Sequence, residues 1–334
     1  MVFVVLKSEP FIFTPCLYHL RVTLSCYSVD PIAPTFTPQY FFSPTYRSED
    51  LSLMDRDLPI GVFDSGVGGL TVARAIADSL PNENLLYLGD TARVPYGTRS
   101  PETVVRYAER VSGHLYRRGI KALVIACNTA TTWALHHLAH AGQQRGIPVI
   151  GVIEPGVKEA LARTQNNHVG IIGTEGTING GVYARRLREL HPNIEISERA
   201  CPLFVALAEE GWVDGDVPRR VAVKYLNSFI GGPDVLILGC THYPLLESTI
   251  AHVLPGVQLI NSAHATAQRL TEILKKDDLL RAGGQGTHHY LVTDNVERFR
   301  RTGSHFLKRE PKPVELADLD ARDESAFAGF NNDI

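Results

Sequence analysis

From Pro59 onward the chain alternates short apolar runs with longer amphipathic ones, an order that few architectures accept. IGVFDS (from Ile60), NLLYLGD (Asn84), ALVIACN (Ala122), PVIGVIEP (Pro148), HVGIIGT (His168), DVLILGC (Asp234) and VQLINS (Val257) lack an alternating polar face, which predicts strands buried on both sides. Between them, TVARAIADSL (Thr71), PETVVRYAERVSGHLYRRG (Pro101), ATTWALHHLAHAG (Ala130), VKEALART (Val157), NGGVYARRLREL (Asn179), VPRRVAVKYLNSF (Val217) and AHATAQRLTEILK (Ala263) predict helices. Strand and helix in alternation predict parallel βαβ units in a doubly wound α/β sheet. Several strands end in Gly, Asp, Ser, Thr or Cys, and ligands of such sheets bind outside the carboxyl ends of the strands.

The order is weakly duplicated. GVFDSGVGGLTV (from Gly61) and GIIGTEGTINGG (from Gly170) begin comparable units, and each unit later closes a strand on a cysteine, Ala126-Cys127-Asn128-Thr129 in one and Gly239-Cys240-Thr241-His242 in the other. Two similar doubly wound parallel-sheet domains, with the active site in the cleft between them, would present both thiols to one ligand from opposite sides. The 334 residues are enough for one large or two medium domains.

Composition removes several function classes. Basic and acidic residues number 33 and 36, giving a formal net charge of −3, and they are mixed along the chain without the basic stripe that phosphate neutralisation requires. No run approaches the roughly 20 apolar residues of a spanning helix, so neither nucleic acid nor membrane is expected as partner. Five cysteines, at 16, 26, 127, 201 and 240, show no C-x-x-C spacing and predict free thiols in a reducing cytoplasm.

The ends differ from the middle. Residues 1–56 carry scattered aromatics and no sustained period, and the second of the chain's two methionines, Met54, stands just before the first strand. This stretch reads as an irregular N-terminal extension, either upstream sequence outside the true protein or a tail added to a complete enzyme. The acidic segment 311–334 reads as disordered.

A thiolate is the reactive form of cysteine, and a free thiol is only a few per cent ionised at neutral pH, so a strand-to-helix turn that favours an anion matters. Cys127 and Cys240 both precede such polar turns, whereas Cys201, in ISERACPLF, reads as a core residue. His242, two residues beyond Cys240, is suited to proton transfer. The other histidines show no metal-ligand spacing. Asp64 in GVFDSGVGG, Asp90 in YLGDTARVPYG and Glu154 in GVIEPG are acidic candidates at strand ends, Asp90 serving equally well as a turn cap. DSGVGG fits neither dinucleotide nor P-loop spacing and reads as a loop whose N–H groups hold a carboxylate.

Taken together, GVFDSGVGGLTV, GDTARVPYGTRS, IACNTATT, GVIEPG, IGTEGTI and LGCTHYPLL, in this order over roughly residues 58 to 275, resemble the glutamate racemases within the cofactor-independent aspartate/glutamate racemase family. The resemblance implies interconversion of L- and D-glutamate without cofactor or metal. One cysteine removes the α-proton as thiolate and the other returns a proton to the opposite face, Cys127 acting on D-glutamate and Cys240 on L-glutamate. Asp64, Glu154 and His242 match positions that assist the thiols; Asp64, Ser65, Tyr96, Gly97, Asn128, Thr129, Thr241 and His242 match positions that hold the substrate. It also implies interleaved domains (58–152 with 262–310, and 153–261), a homodimer, and a supply of D-glutamate for peptidoglycan. A racemase of aspartate or a hydantoin, a single-cysteine hydrolase with His242 as base, and an amino-acid-binding protein without turnover are the competing readings.

Overall fold

The computed structural model describes residues 56–319; the extension with its Met54 and the last part of the acidic tail lie outside them. The first sheet contains β1 (Ile60–Asp64), β2 (Leu85–Gly89), β3 (Ala122–Ile125), β4 (Val149–Gly151), β9 (His288–Val292) and β10 (Val314–Leu316), in the order β10-β9-β2-β1-β3-β4. The second contains β5 (His168–Gly173), β6 (Glu195–Ala200), β7 (Val235–Gly239) and β8 (Gln258–Ile260), in the order β6-β5-β7-β8. Every pairing is parallel. The order β2-β1-β3-β4 recurs as β6-β5-β7-β8, so the fold is α/β with two similar doubly wound sheets. In that equivalence β3, which ends before Cys127, corresponds to β7, which ends before Cys240.

The apolar strands form where expected because β1, β2, β3 and β7 are buried at every residue and nothing polar interrupts their pairing. Helices α1 (Leu70–Ser79), α2 (Pro101–Arg117), α3 (Asn128–Gln143), α4 (Ile153–Arg163) and α10 (Ser262–Lys276) cover the sheets. Ser100 caps α2 by accepting from Thr103 N, with Pro101 at the first helical position where its missing N–H costs nothing. The chain passes to the second sheet through α4 and returns through α10, and these two crossing helices pack on each other. Among the described residues no helix is long and apolar enough to cross a membrane.

Four expectations are corrected. EISERA forms the edge strand β6, which apolar runs could not reveal because its residues are exposed or half-buried. NGGVYARRLREL is two helices, α5 (Glu175–Gly180) and α6 (Val182–Leu190), separated by Gly181 at φ 61°, the left-handed region that glycine enters without a Cβ clash. α7 (Leu203–Glu209), α8 (Asp216–Leu226), α9 (Glu247–Val253) and α11 (Val296–Leu307) complete the helices, and of these only α8 was foreseen. The segment from 311 is ordered as far as it is described: β10 pairs with β9 through Val314↔Tyr290, and Ala317 and Leu319 are buried beyond it. Apolar side chains spaced among acidic ones concealed that edge strand.

The end of the first sheet opposite the strand carboxyl ends carries a buried ion pair. Lys121, just before β3, is fully buried against Glu83, just before β2. Lys121 Nζ also donates to the carbonyls of Arg56 (2.6 Å) and Leu279 (2.9 Å), and Glu83 Oε1 accepts from Arg281 N (2.9 Å). Four separate stretches of chain are tied at this point.

Candidate active site

At the carboxyl ends of β1, β3 and β7 a narrow cleft is lined by Ser65, Tyr96, Gly97, Cys127, Asn128, Thr129, Cys240, Thr241 and His242, together with Thr174 and Val205. Its volume is about 20 Å³, room for about one water molecule. Two larger surface hollows, of about 850 and 910 Å³, contain neither thiol.

Cys127 sits at the N-cap of α3, where its Sγ accepts from Ala130 N (3.4 Å) and faces Ser65 Oγ (3.7 Å). Burial, reinforced by the neighbouring Asp64 carboxylate, pushes its pKa up to about 12, which favours the thiol over the thiolate. Asp64 is itself fully buried. Burial raises its pKa, against His242, the Gly66 and Gly69 amides and Thr241. In the loop expected to hold a ligand carboxylate, the amide of Gly66 instead donates to the chain's own Asp64 Oδ2 (3.0 Å). A Cβ at Gly68 would overlap Thr241 Oγ1 and His242 Nδ1, so glycine here allows the first half's backbone to lie directly against the second half.

Cys240 has a different neighbourhood. His242 Nδ1 lies 3.7 Å from its Sγ, and His242 Nε2 lies 3.1 Å from Glu209 Oε1. Burial alone would lower the His242 pKa, but the hydrogen bonds and charges of Cys240 and Glu209 outweigh it and raise it to about 10. An imidazolium beside Cys240 and a carboxylate beside Cys127 give the two thiols opposite electrostatic surroundings.

The remaining residues hold one another. Tyr96 donates to Asp90 Oδ2 (2.6 Å), and Asp90 is also bonded by Arg93 and Thr293, so Asp90 fixes the Tyr96 ring from outside the cleft. Asn128 Nδ2 donates to Tyr183 OH (2.8 Å). Thr129 Oγ1 lies 2.8 Å from Thr174 Oγ1 and 3.1 Å from Thr177 Oγ1, which joins the halves beside the thiols. Thr241 donates to Asp64 Oδ1 (3.4 Å) across the same boundary.

Glu154 is the misplaced member. It lies in the first turn of α4, paired with Arg186 (2.8 Å) and Lys158 (3.4 Å) on the wall of a separate hollow, and Arg186 holds its pKa below the ordinary carboxylate range. The carboxylate that the structure brings to His242 is Glu209, from α7. No sequence signal separates Glu209 from Glu210 in VALAEEGW, since only the packing of α7 decides which of the two faces the imidazole. Thr174 was within reach, because it follows β5 directly as Ser65 follows β1.

Comparison with known proteins supplies an independent measure. Residues 62–270 match the Asp/Glu/Hydantoin racemase family. The chain is 50% identical over 268 residues to the glutamate racemase of Geobacter metallireducens, covering 79% of this chain and 98% of that one. It superposes with TM-score 0.76 on the glutamate racemase of Francisella tularensis in complex with D-glutamate, at 38% identity, over 80% of this chain and all of that one. A glutamate racemase isoform from Bacillus anthracis gives the same TM-score and identity over 79% of this chain and 99% of its own.

Proposed function

The chain belongs to the Asp/Glu/hydantoin racemase family, and we propose that it interconverts L- and D-glutamate by a two-thiol proton transfer needing no metal or organic cofactor. The observation that carries this reading is the pair of cysteines at equivalent strand ends of two similar sheets, lining one cleft. Cys240 Sγ removes the α-proton of L-glutamate, and Cys127, holding its proton, delivers it to the opposite face; D-glutamate reacts in reverse. Hydroxyls of Ser65, Thr129 and Thr241 and the Asn128 amide are fixed in place to meet charge that develops at the substrate α-carboxylate. A cavity of about 20 Å³ cannot admit glutamate, so the halves part for entry and close for the chemistry. We assign Glu209, in place of Glu154, as the carboxylate that assists His242. A reducing cytoplasm suits the thiols, a homodimer follows from the resemblance, and D-glutamate would serve peptidoglycan synthesis.

Incubation with L-glutamate in deuterium oxide tests the reading directly. D-glutamate carrying deuterium at the α-carbon, formed without added cofactor, is expected by optical rotation and proton exchange. Absence of exchange with glutamate, or faster exchange with aspartate run in parallel, would overturn it.

Glu209→Gln should expose the pH linkage of His242. A histidine whose folded pKa is raised contributes stability that is complete below about 6.5 and lost as pH rises through about 10. Wild-type Tm is therefore expected to fall between those limits. Removing the Glu209 charge should lower the Tm at pH 6 more than at pH 10, which a pH series of thermal melts measures.

A further inference from the structure

We propose that Arg298 is a positioning residue that aligns the His242–Glu209 pair when the two halves of the molecule are together, a proposal resting on the two-thiol reading above. Glu209 divides its oxygens: Oε1 lies 3.1 Å from His242 Nε2, while Oε2 accepts from Arg298 (3.3 Å). Glu209 and His242 both belong to the second half, on α7 and just after β7. Arg298 belongs to α11, which packs on α1 and β10 of the first half. The same helix reaches the pair twice, because the ring of Phe306 stands edge-on to the His242 imidazole with centroids 5.3 Å apart. Residues 298 and 306 are about two helical turns apart and so share a face of α11.

This arrangement makes the relay from Cys240 through His242 to Glu209 conditional on closure. A glutamate side chain has rotamers to spare, and one bonded oxygen leaves the carboxylate free to turn away from the imidazole. With Oε2 held by the guanidinium, Oε1 points at Nε2, and the ring is kept with Nδ1 toward Cys240 Sγ. Parting of the halves to admit substrate withdraws α11 and with it both contacts. Arg298 touches no reacting atom; it acts through Glu209.

Arg298→Met should lower kcat roughly twofold to fivefold, the scale of one partly exposed charge pair, with a smaller change in KM. Arg298→Lys should recover most of the loss, since a point charge suffices for a single-oxygen contact. Added to Glu209→Gln, Arg298→Met should cost nothing further. Isotope effects separate positioning from general loosening. With α-deuterated L-glutamate the primary effect should rise, because the Cys240 step becomes slower; with α-deuterated D-glutamate it should fall, because the deuteron returns more often from Cys127 to the α-carbon. A wild-type kcat in Arg298→Met, an additive loss in the Glu209→Gln background, or isotope effects moving alike in both directions would overturn the proposal while leaving racemisation intact. A wild-type protein that exchanges no α-proton of glutamate would overturn the function and this inference together.

Discussion

Cys127→Ser and Cys240→Ser are each expected to lower racemisation by about 10²- to 10⁴-fold, the usual worth of one positioned acid or base. Neither change should disturb the fold, because both thiols are small, buried and surrounded by groups that accept a hydroxyl as readily. What remains should be one-sided. Without Cys127 the surviving Cys240 can still remove the α-proton of L-glutamate and return a solvent deuteron to the same face; without Cys240 the same holds for Cys127 and D-glutamate. Proton NMR of each enantiomer in deuterium oxide measures this. Near-normal racemisation by either variant would sink the two-thiol scheme, and a covalent intermediate on Cys240 alone would restore the hydrolase reading. The test is sharp because the thiols have unlike partners: burial and the Asp64 carboxylate raise the pKa of Cys127, whereas His242 stands beside Cys240.

Lys121→Met is expected to be the most destabilising substitution away from the cleft, by roughly 3–5 kcal/mol, the cost of leaving one partner of a buried ion pair unmatched. Lys121 and Glu83 are both essentially inaccessible, and the ammonium also serves the carbonyls of Arg56 and Leu279. Urea unfolding measures the loss. Changing Glu83 to Met as well should recover part of it, since two apolar groups leave no stranded charge, although Arg281 N then loses its acceptor. Turnover per folded molecule should be unchanged because the pair lies at the far end of the sheet from the thiols. A loss below about 1 kcal/mol would mean that water reaches the pair.

Much of the site could be read before any coordinates. Cys127, Cys240, Asp64 and His242 stand next to apolar runs that can only be buried strands, so their placement at strand ends follows from burial alone. Asn128, Thr129 and Thr241 come with them as immediate neighbours. Glu154 misled for the same reason that the others succeeded: GVIEPG follows an apolar run, yet β4 ends at Gly151 and Glu154 already lies within α4, turned toward Arg186. Glu209 and Arg298 were illegible because neither stands at a strand end. Each reaches the site from the flank of a helix, and neither helix was foreseen.

The sequence by itself determined the parallel α/β architecture, its internal duplication and the delivery of two thiols to equivalent strand ends, because period and burial are local properties that any residue run displays. Only the tertiary structure decided which carboxylate meets His242, that Asp64 fills its own loop, that the hydroxyls of Thr129, Thr174, Thr177 and Thr241 join the halves, and that α11 reaches across to the relay. Those contacts join residues far apart in the chain. They depend on the rotation of helices about their axes and on how closely the side chains of Thr241 and His242 approach the backbone at Gly68, quantities that no local pattern encodes.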